Sequence, residues 1–276
     1  MKRSIVLVLA SVLASCVNTG PQNLPEGKSS ACEGKDPTRY MAGGEECLVF
    51  TAFGVAGAGN SPTLLVFLHG DATGTPAEYM NDYAPRYVRP GVVTLALLRP
   101  GYYDSEGNRS TDGELKNQYD NYTPHNIEAV ALAVRALKER YGAKRVILVG
   151  HSGGAAYAGV ILGKYPSLAN NAILAACNCN VPDFVSHMRF RPWSSSLSPH
   201  DFVGSIAQTT RVIAVSGAND VRVPPRIPKK YIETLVERGV SAEYREIPNG
   251  VHGFRSIGNS SVFSQALESL IDEAAR

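Results

Sequence analysis

The sequence predicts an α/β protein built on a mostly parallel sheet with helices on both faces. Short apolar runs alternate with helix-period stretches over about 220 residues. Several of those runs are unbroken Val, Leu, Ile and Ala, as strands covered on both faces must be. Of the 276 residues 44% are hydrophobic and 19% charged, enough apolar content to bury a core. The same composition excludes a fibrous or fully disordered chain. A net charge of +2 leaves no electrostatic footprint for nucleic acid, which is not expected as a partner.

The chain opens MKRSIVLVLASVLASC, two positive charges before an apolar run and then small residues. That is the layout of an export signal, and a run of about 9 residues is too short to span a bilayer of about 30 Å. The ending Leu13-Ala14-Ser15-Cys16 resembles the lipobox of bacterial lipoproteins. The resemblance implies cleavage before Cys16, removing residues 1–15 as a signal peptide, and lipid on the Cys16 thiol. The protein is then expected in the bacterial cell envelope, held to a membrane by the lipid anchor. Loss of Lys2 and Arg3 leaves basic and acidic residues balanced at 25 each. Residues 16–46, rich in Gly, Pro, Asn, Ser and Lys without apolar periodicity, read as a lipidated tether to a folded domain over 47–276.

Apart from Cys16, four cysteines remain, Cys32, Cys47, Cys177 and Cys179. An even count in an oxidising compartment suggests disulfides. Cys32–Cys47 is the favoured pair, since it would staple the N-terminal arm to the body. Cys177 and Cys179 either close a small, strained, redox-labile ring or stay as two thiols. A zinc site is the functional alternative for them, but nothing nearby supplies the remaining ligands, so no metal is expected.

The strand candidates are Leu48–Phe53, Thr63–Leu68, Val92–Leu98, Arg145–Val149, Ala172–Ala176, Val212–Ser216 and Ala242–Ile247. Between Val92–Leu98 and Arg145–Val149, Ile127, Val130, Ala131, Val134 and Leu137 share one helical face, with Thr123-Pro124 as a start signal and Gly142 as a stop. Tyr231, Leu235 and Val236 mark a shorter helix ended by Gly239. Phe263, Ala266, Leu267, Leu270, Ile271 and Ala274 mark the last one. Two longer insertions, at about 101–123 and 178–210, have the length of functional or flexible loops.

The sharpest chemical signal is Gly150-His151-Ser152-Gly153-Gly154, between an apolar strand and a small-residue helix. It fits the G-x-S-x-G elbow, in which a tight turn lifts a serine above the sheet and the following helix aims its positive end at the reacting group. A plain Gly-rich turn would leave that context unexplained. A serine hydroxyl needs a base, and the base an orienting acid, in the chain order Ser, acid, His. His252 sits in a Gly-flanked loop just after the last strand candidate and is the chosen base; His187 and His200 fall in the second insertion. Asp220, after Val212–Ser216, is the chosen acid. An Asx turn leading into Val223-Pro224 is its structural alternative, and Asp183 the runner-up acid. The backbone N–H groups of Gly153 and Asp71 are the expected oxyanion donors, with His69 and His151 in supporting roles.

Together, LVFLHGD, GHSGG, SGANDVRVP and NGVHGF resemble the α/β-hydrolase superfamily in its order, over most of residues 48–276. Small esterases and the catalytic domains of prolyl-oligopeptidase-like peptidases are the nearest in kind. The resemblance implies an eight-stranded, mostly parallel sheet, a minimal cap, and acyl transfer through Ser152 without a cofactor. Tyr102, Tyr103, Tyr119 and Tyr122 either wall the site for a small or aryl ester or anchor their own loop. The functional expectation is a carboxylic ester hydrolase acting on a small ester or short peptide. A peptidase or amidase with the same residues, and a non-catalytic envelope lipoprotein retaining the fold, are the alternatives.

Overall fold

The computed structural model describes residues 19–25, 30–72, 74–111 and 119–275. The segment read as an export signal, and Cys16, lie outside the described residues. Eight strands form one sheet in the order β1-β2-β4-β3-β5-β6-β7-β8. They are β1 (Tyr40–Gly43), β2 (Glu46–Phe53), β3 (Thr63–Leu68), β4 (Val92–Leu97), β5 (Arg145–His151), β6 (Asn171–Ala175), β7 (Arg211–Gly217) and β8 (Ser241–Ile247). β1 pairs antiparallel with β2, and β2 antiparallel with β4; all pairs from β4 to β8 are parallel.

Except for the half-exposed edge strand β8, the parallel strands are buried because both faces are covered. Successive side chains of a strand point to opposite faces. Leu64, Val66, Leu68, Val146, Leu148, Val212 and Ala214 pack under α1 (Pro124–Arg140), α2 (Gly153–Lys164) and α4 (Arg226–Glu237). Leu65, Phe67, Ile147, Val149, Ile213 and Val215 pack under α5 (Phe254–Gly258) and α6 (Ser261–Ala274), between which and the sheet Phe254, Phe263, Leu267 and Leu270 are buried. The remaining short helix, α3 (Val181–His187), belongs to the second insertion. Helix starts follow local chemistry: the Thr123 hydroxyl accepts from the Asn126 N–H ahead of Pro124, and the Ser260 hydroxyl accepts from the Phe263 N–H.

Two local expectations change. Tyr40–Gly43, assigned to the tether, forms β1 and pairs with β2 from Tyr40↔Val49 to Gly43↔Glu46. Four residues, only some of them apolar, are too few to display a period of two. On α4, Val236 is exposed while Ile227, Tyr231, Ile232 and Leu235 are buried. Cys32–Cys47 is a disulfide that links the arm to the start of β2. Cys177 and Cys179 are also joined, which removes the thiolates that a zinc site would need.

Candidate active site

The carboxyl ends of β3, β5, β7 and β8 carry the loops that meet above the sheet, the place where parallel α/β sheets present their ligand crevice. β5 ends in His151, α2 begins at Gly153, and Ser152 alone makes the turn, with φ 50° and ψ −114°. A residue with a Cβ is strained there, and the surroundings enforce it. A Cβ on Gly150 would stand 2.4 Å from the Gly154 carbonyl oxygen, and one on Gly154 would stand 2.2 Å from that of Leu68. Strand, turn and helix therefore close on each other only through glycines, and Ser152 is left at their apex.

The structure brings Ser152, His252 and Asp220 together. Ser152 Oγ lies 3.1 Å from His252 Nε2, and His252 Nδ1 lies 2.9 Å from Asp220 Oδ2. A carboxylate oxygen can only accept from the imidazole, so Nδ1 carries the proton and Nε2 presents its lone pair to the serine hydroxyl. That tautomer can take the Oγ proton. Asp220 is buried and its two oxygens divide the work. Oδ1 accepts from the Arg222 and Val223 N–H groups at 3.0 and 2.8 Å, the expected Asx turn, while Oδ2 faces His252. The turn and the histidine contact are thus compatible rather than alternatives. Asp183 is elsewhere, paired with Arg226 between α3 and α4. His187 donates through Nε2 to the Val221 carbonyl at 2.9 Å and does not reach Ser152.

The loop after β3 lies against the elbow. A Cβ on Gly70 would sit 3.2 Å from Ser152 Cβ, and one on Gly153 would sit 2.4 Å from Asp71 Oδ1. His69 sets the direction of the Asp71 N–H. Its Nε2 accepts from the Arg99 N–H at 3.0 Å, which puts the proton on Nδ1, and Nδ1 donates to the Gly70 carbonyl at 2.7 Å. In a trans peptide C=O and N–H point in opposite directions, so holding the Gly70 carbonyl aims the Asp71 N–H the other way. Burial, reinforced by the charge of Arg99, pushes the His69 pKa well below that of free imidazole and keeps the ring neutral.

A buried polar cluster underlies this loop, and most of it was invisible in the sequence. The Asp71 carboxylate accepts from Arg99 Nη2 at 2.7 Å, Tyr102 OH at 3.2 Å and Tyr122 OH at 2.6 Å. Tyr122 in turn accepts from Asn178 Nδ2 at 2.6 Å. Arg99 is flanked by the rings of Tyr102 and Tyr157, whose centroids lie 4.7 and 4.8 Å from its guanidinium carbon. Tyr102 and Tyr122 are therefore anchors of the 101–123 loop, whereas Tyr119 is substantially exposed, 5.4 Å from the ring of Phe190. Phe190 and Trp193 continue that aromatic surface across the second insertion, packed on the buried ring of Phe184. A charge directly after the apolar run ending at Leu98 was the available signal for Arg99; Asn178 had none.

The sequence matches the model of the alpha/beta hydrolase family over residues 65–256, from within β3 to within α5, which includes the loops that carry Asp71, Ser152, Asp220 and His252. The chain belongs to the alpha/beta hydrolase family. Among solved structures, this hydrolase is similar to Est1E from Butyrivibrio proteoclasticus with ferulic acid bound, at TM-score 0.63 and 13% identity, covering 86% of this chain and 97% of that one. It is similar to a Mycobacterium tuberculosis puromycin-hydrolyzing peptidase at TM-score 0.62 and 16% identity, over 79% of this chain and 36% of that one. It is also similar to a Pyrococcus horikoshii acylaminoacyl peptidase at TM-score 0.63 and 13% identity, over 84% and 39% of the two chains. At such identities the likeness establishes the shared alpha/beta hydrolase fold. No curated protein matches the sequence.

Proposed function

We propose that this alpha/beta hydrolase is a serine hydrolase that cleaves carboxylic esters through an acyl-enzyme on Ser152. The observation that carries the reading is the hydrogen-bonded series Ser152 Oγ, His252, Asp220 at the apex of the elbow. In the first step Ser152 Oγ attacks the carbonyl carbon while His252 Nε2 takes the hydroxyl proton. Asp220 stabilises the imidazolium that forms. The carbonyl oxygen becomes an oxyanion and accepts from the N–H groups of Gly153 and Asp71, each worth about 3 kcal/mol toward the transition state. Collapse breaks the bond to the leaving alkoxide, which receives the proton from His252. Water then repeats the sequence and releases the acid.

An aromatic acyl or alcohol group suits the exposed ring of Tyr119 and the neighbouring Phe190 and Trp193, and the bound ferulic acid of Est1E is of that kind. The peptidases among the similar structures favour a second reading, amide hydrolysis by the same residues. Rates on an ester and an amide of one acyl group separate the two: a large ester excess supports the first and comparable turnover the second. A lipid on Cys16 would hold this activity at the envelope membrane, and intact mass of the exported protein tests it, since an unmodified Cys16 eliminates the anchor. The decisive experiment is fluorophosphonate labelling followed by peptide mass mapping. An adduct on Ser152 that disappears in Ser152→Ala is expected, and a folded wild-type protein without one refutes the reading.

A further inference from the structure

The loop that carries Asp71 and the loop that carries His252 come from opposite ends of the domain, yet one chain of hydrogen bonds joins them. The Gly70 N–H donates to Tyr79 OH at 2.6 Å, Tyr79 OH lies 2.6 Å from His151 Nδ1, and His151 Nε2 lies 2.9 Å from the His252 carbonyl oxygen. The direction of every bond follows from the ends. The His252 carbonyl can only accept, so His151 carries its proton on Nε2 and Nδ1 is a lone pair. The Tyr79 hydroxyl must then donate to Nδ1, which leaves its oxygen to accept from Gly70. Each group is used once, and no alternative arrangement of a neutral His151 satisfies all three. Burial, with the nearby His252 ring adding to it, depresses the His151 pKa to about 3, so the neutral form persists across the working pH range.

We propose that Tyr79 and His151 are positioning residues that lock the oxyanion-side loop and the histidine loop onto Ser152. The proposal rests on the hydrolase reading above. Its two ends are peptide groups of the working residues or their neighbours: the Gly70 N–H precedes the Asp71 peptide, and the carbonyl belongs to His252 itself. All the parts meet at one point, because a Cβ on Gly70 would lie 3.0 Å from His151 Nδ1 and 3.2 Å from both Ser152 Cβ and Tyr79 OH. Phe254 buttresses the rings of Tyr79 and His151 at centroid distances of 5.9 and 5.1 Å. Ring packing therefore survives removal of the hydroxyl, and the effect of the hydroxyl can be read by itself.

Tyr79→Phe is the test. It leaves the Gly70 N–H and His151 Nδ1 without their partner and frees both loops by small amounts. Misplacement on that scale lowers kcat by about 10–100-fold. The expected result is that loss with KM changed less than twofold, together with a ¹⁵N shift of His151 Nδ1 toward a nitrogen with no hydrogen-bond donor. His151→Asn offers an acceptor at the Nδ1 position and nothing at Nε2, so it keeps Tyr79 and releases His252. If one chain acts as a unit, the combined variant loses less than the product of the single losses. An unchanged kcat in Tyr79→Phe, a loss explained by a lowered Tm alone, multiplicative losses, or His151 protonated on Nδ1 in the wild type would each overturn the proposal. The nitrogen shifts are read without substrate. A wild-type protein that fails to label at Ser152 but shows the expected His151 tautomer therefore refutes the hydrolase reading separately.

Discussion

Arg99, fully buried, donates through Nη2 to Asp71 Oδ1 at 2.7 Å, directly beneath the loop that faces the elbow. Its Nε and Nη1 have no hydrogen-bond partner among the described residues, so the cation is held by one carboxylate and two aromatic faces. Breaking a buried pair is costly because the survivor keeps its charge, whereas removing both charges is often close to neutral. Arg99→Met should therefore lower unfolding free energy by about 3–5 kcal/mol. Adding Asp71→Leu to it should recover part of that loss, since it removes the unpaired charge while leaving the Tyr102 and Tyr122 hydroxyls without their acceptor. Urea denaturation of the single and double variants distinguishes this from simple overpacking, in which the double variant is worse.

Asp220→Asn separates fold from reaction. Asparagine can keep its oxygen on the Arg222 and Val223 N–H groups and so preserve the turn. Its NH₂ then faces His252 Nδ1 and favours the tautomer whose Nε2 carries the proton. Acylation should fall by about 10⁴-fold, as expected when the base is in the wrong tautomer. Tm should change little, and a matching collapse of Tm would point to a structural role only.

Two neutral imidazoles buried beside the elbow make the fold acid-labile. Both His69 and His151 have native pKa values depressed by burial, and in the unfolded chain they return to about 6.5. Above that pH neither state binds the proton and the fold carries no penalty. Below it only the unfolded state does, so stability falls with decreasing pH, for His151 down to about 3. Well below pH 6.5 each histidine contributes a slope of about 1.4 kcal/mol per pH unit. Chemical denaturation between pH 7 and 5 should show the decline, and His151→Gln should make it shallower.

Gly153→Ala tests the contact between the elbow and the Asp71 loop. The added Cβ meets Asp71 Oδ1 at 2.4 Å, and that carboxylate is held by Arg99, Tyr102 and Tyr122, so it cannot swing aside freely. The Asp71 loop must shift away from Ser152. Loss of one oxyanion donor lowers kcat by about 10²–10³-fold, and the variant should fall in that range. Steady-state rates near wild type would place the oxyanion contact elsewhere.

How much of this was legible follows from the kind of signal each element leaves. Buried parallel strands announce themselves as apolar runs, so β3 to β7 were found within a few residues; β2 and the half-exposed β8 were found through shorter apolar or alternating stretches, while four-residue β1 left no period to read. Gly150, Ser152 and Gly154 were visible because a sharp turn restricts residue type. Asp220 and His252 were visible through their place after strand ends. The polar cluster under Asp71 was not, because Asp71 and Asn178 come from two separate loops and Arg99 and Tyr122 from opposite ends of a third, and they become neighbours only when the sheet aligns its strand ends. Tyr79 lies in a short helical turn at Glu78–Asp82 with no periodicity, and its partner on the elbow is 72 positions away.

The shorter of the two disulfide-closed loops among the described residues closes around Asn178. Cys177–Cys179 confines that residue to a few backbone states, and its side chain reaches Asp71 through Tyr122 in two hydrogen bonds. A side chain constrained in this way has little freedom left to lose when a substrate arrives. Under the proposed reaction, the ordering entropy of the Asp71 side is thus settled once, when the chain folds and oxidises, and does not recur with each substrate bound.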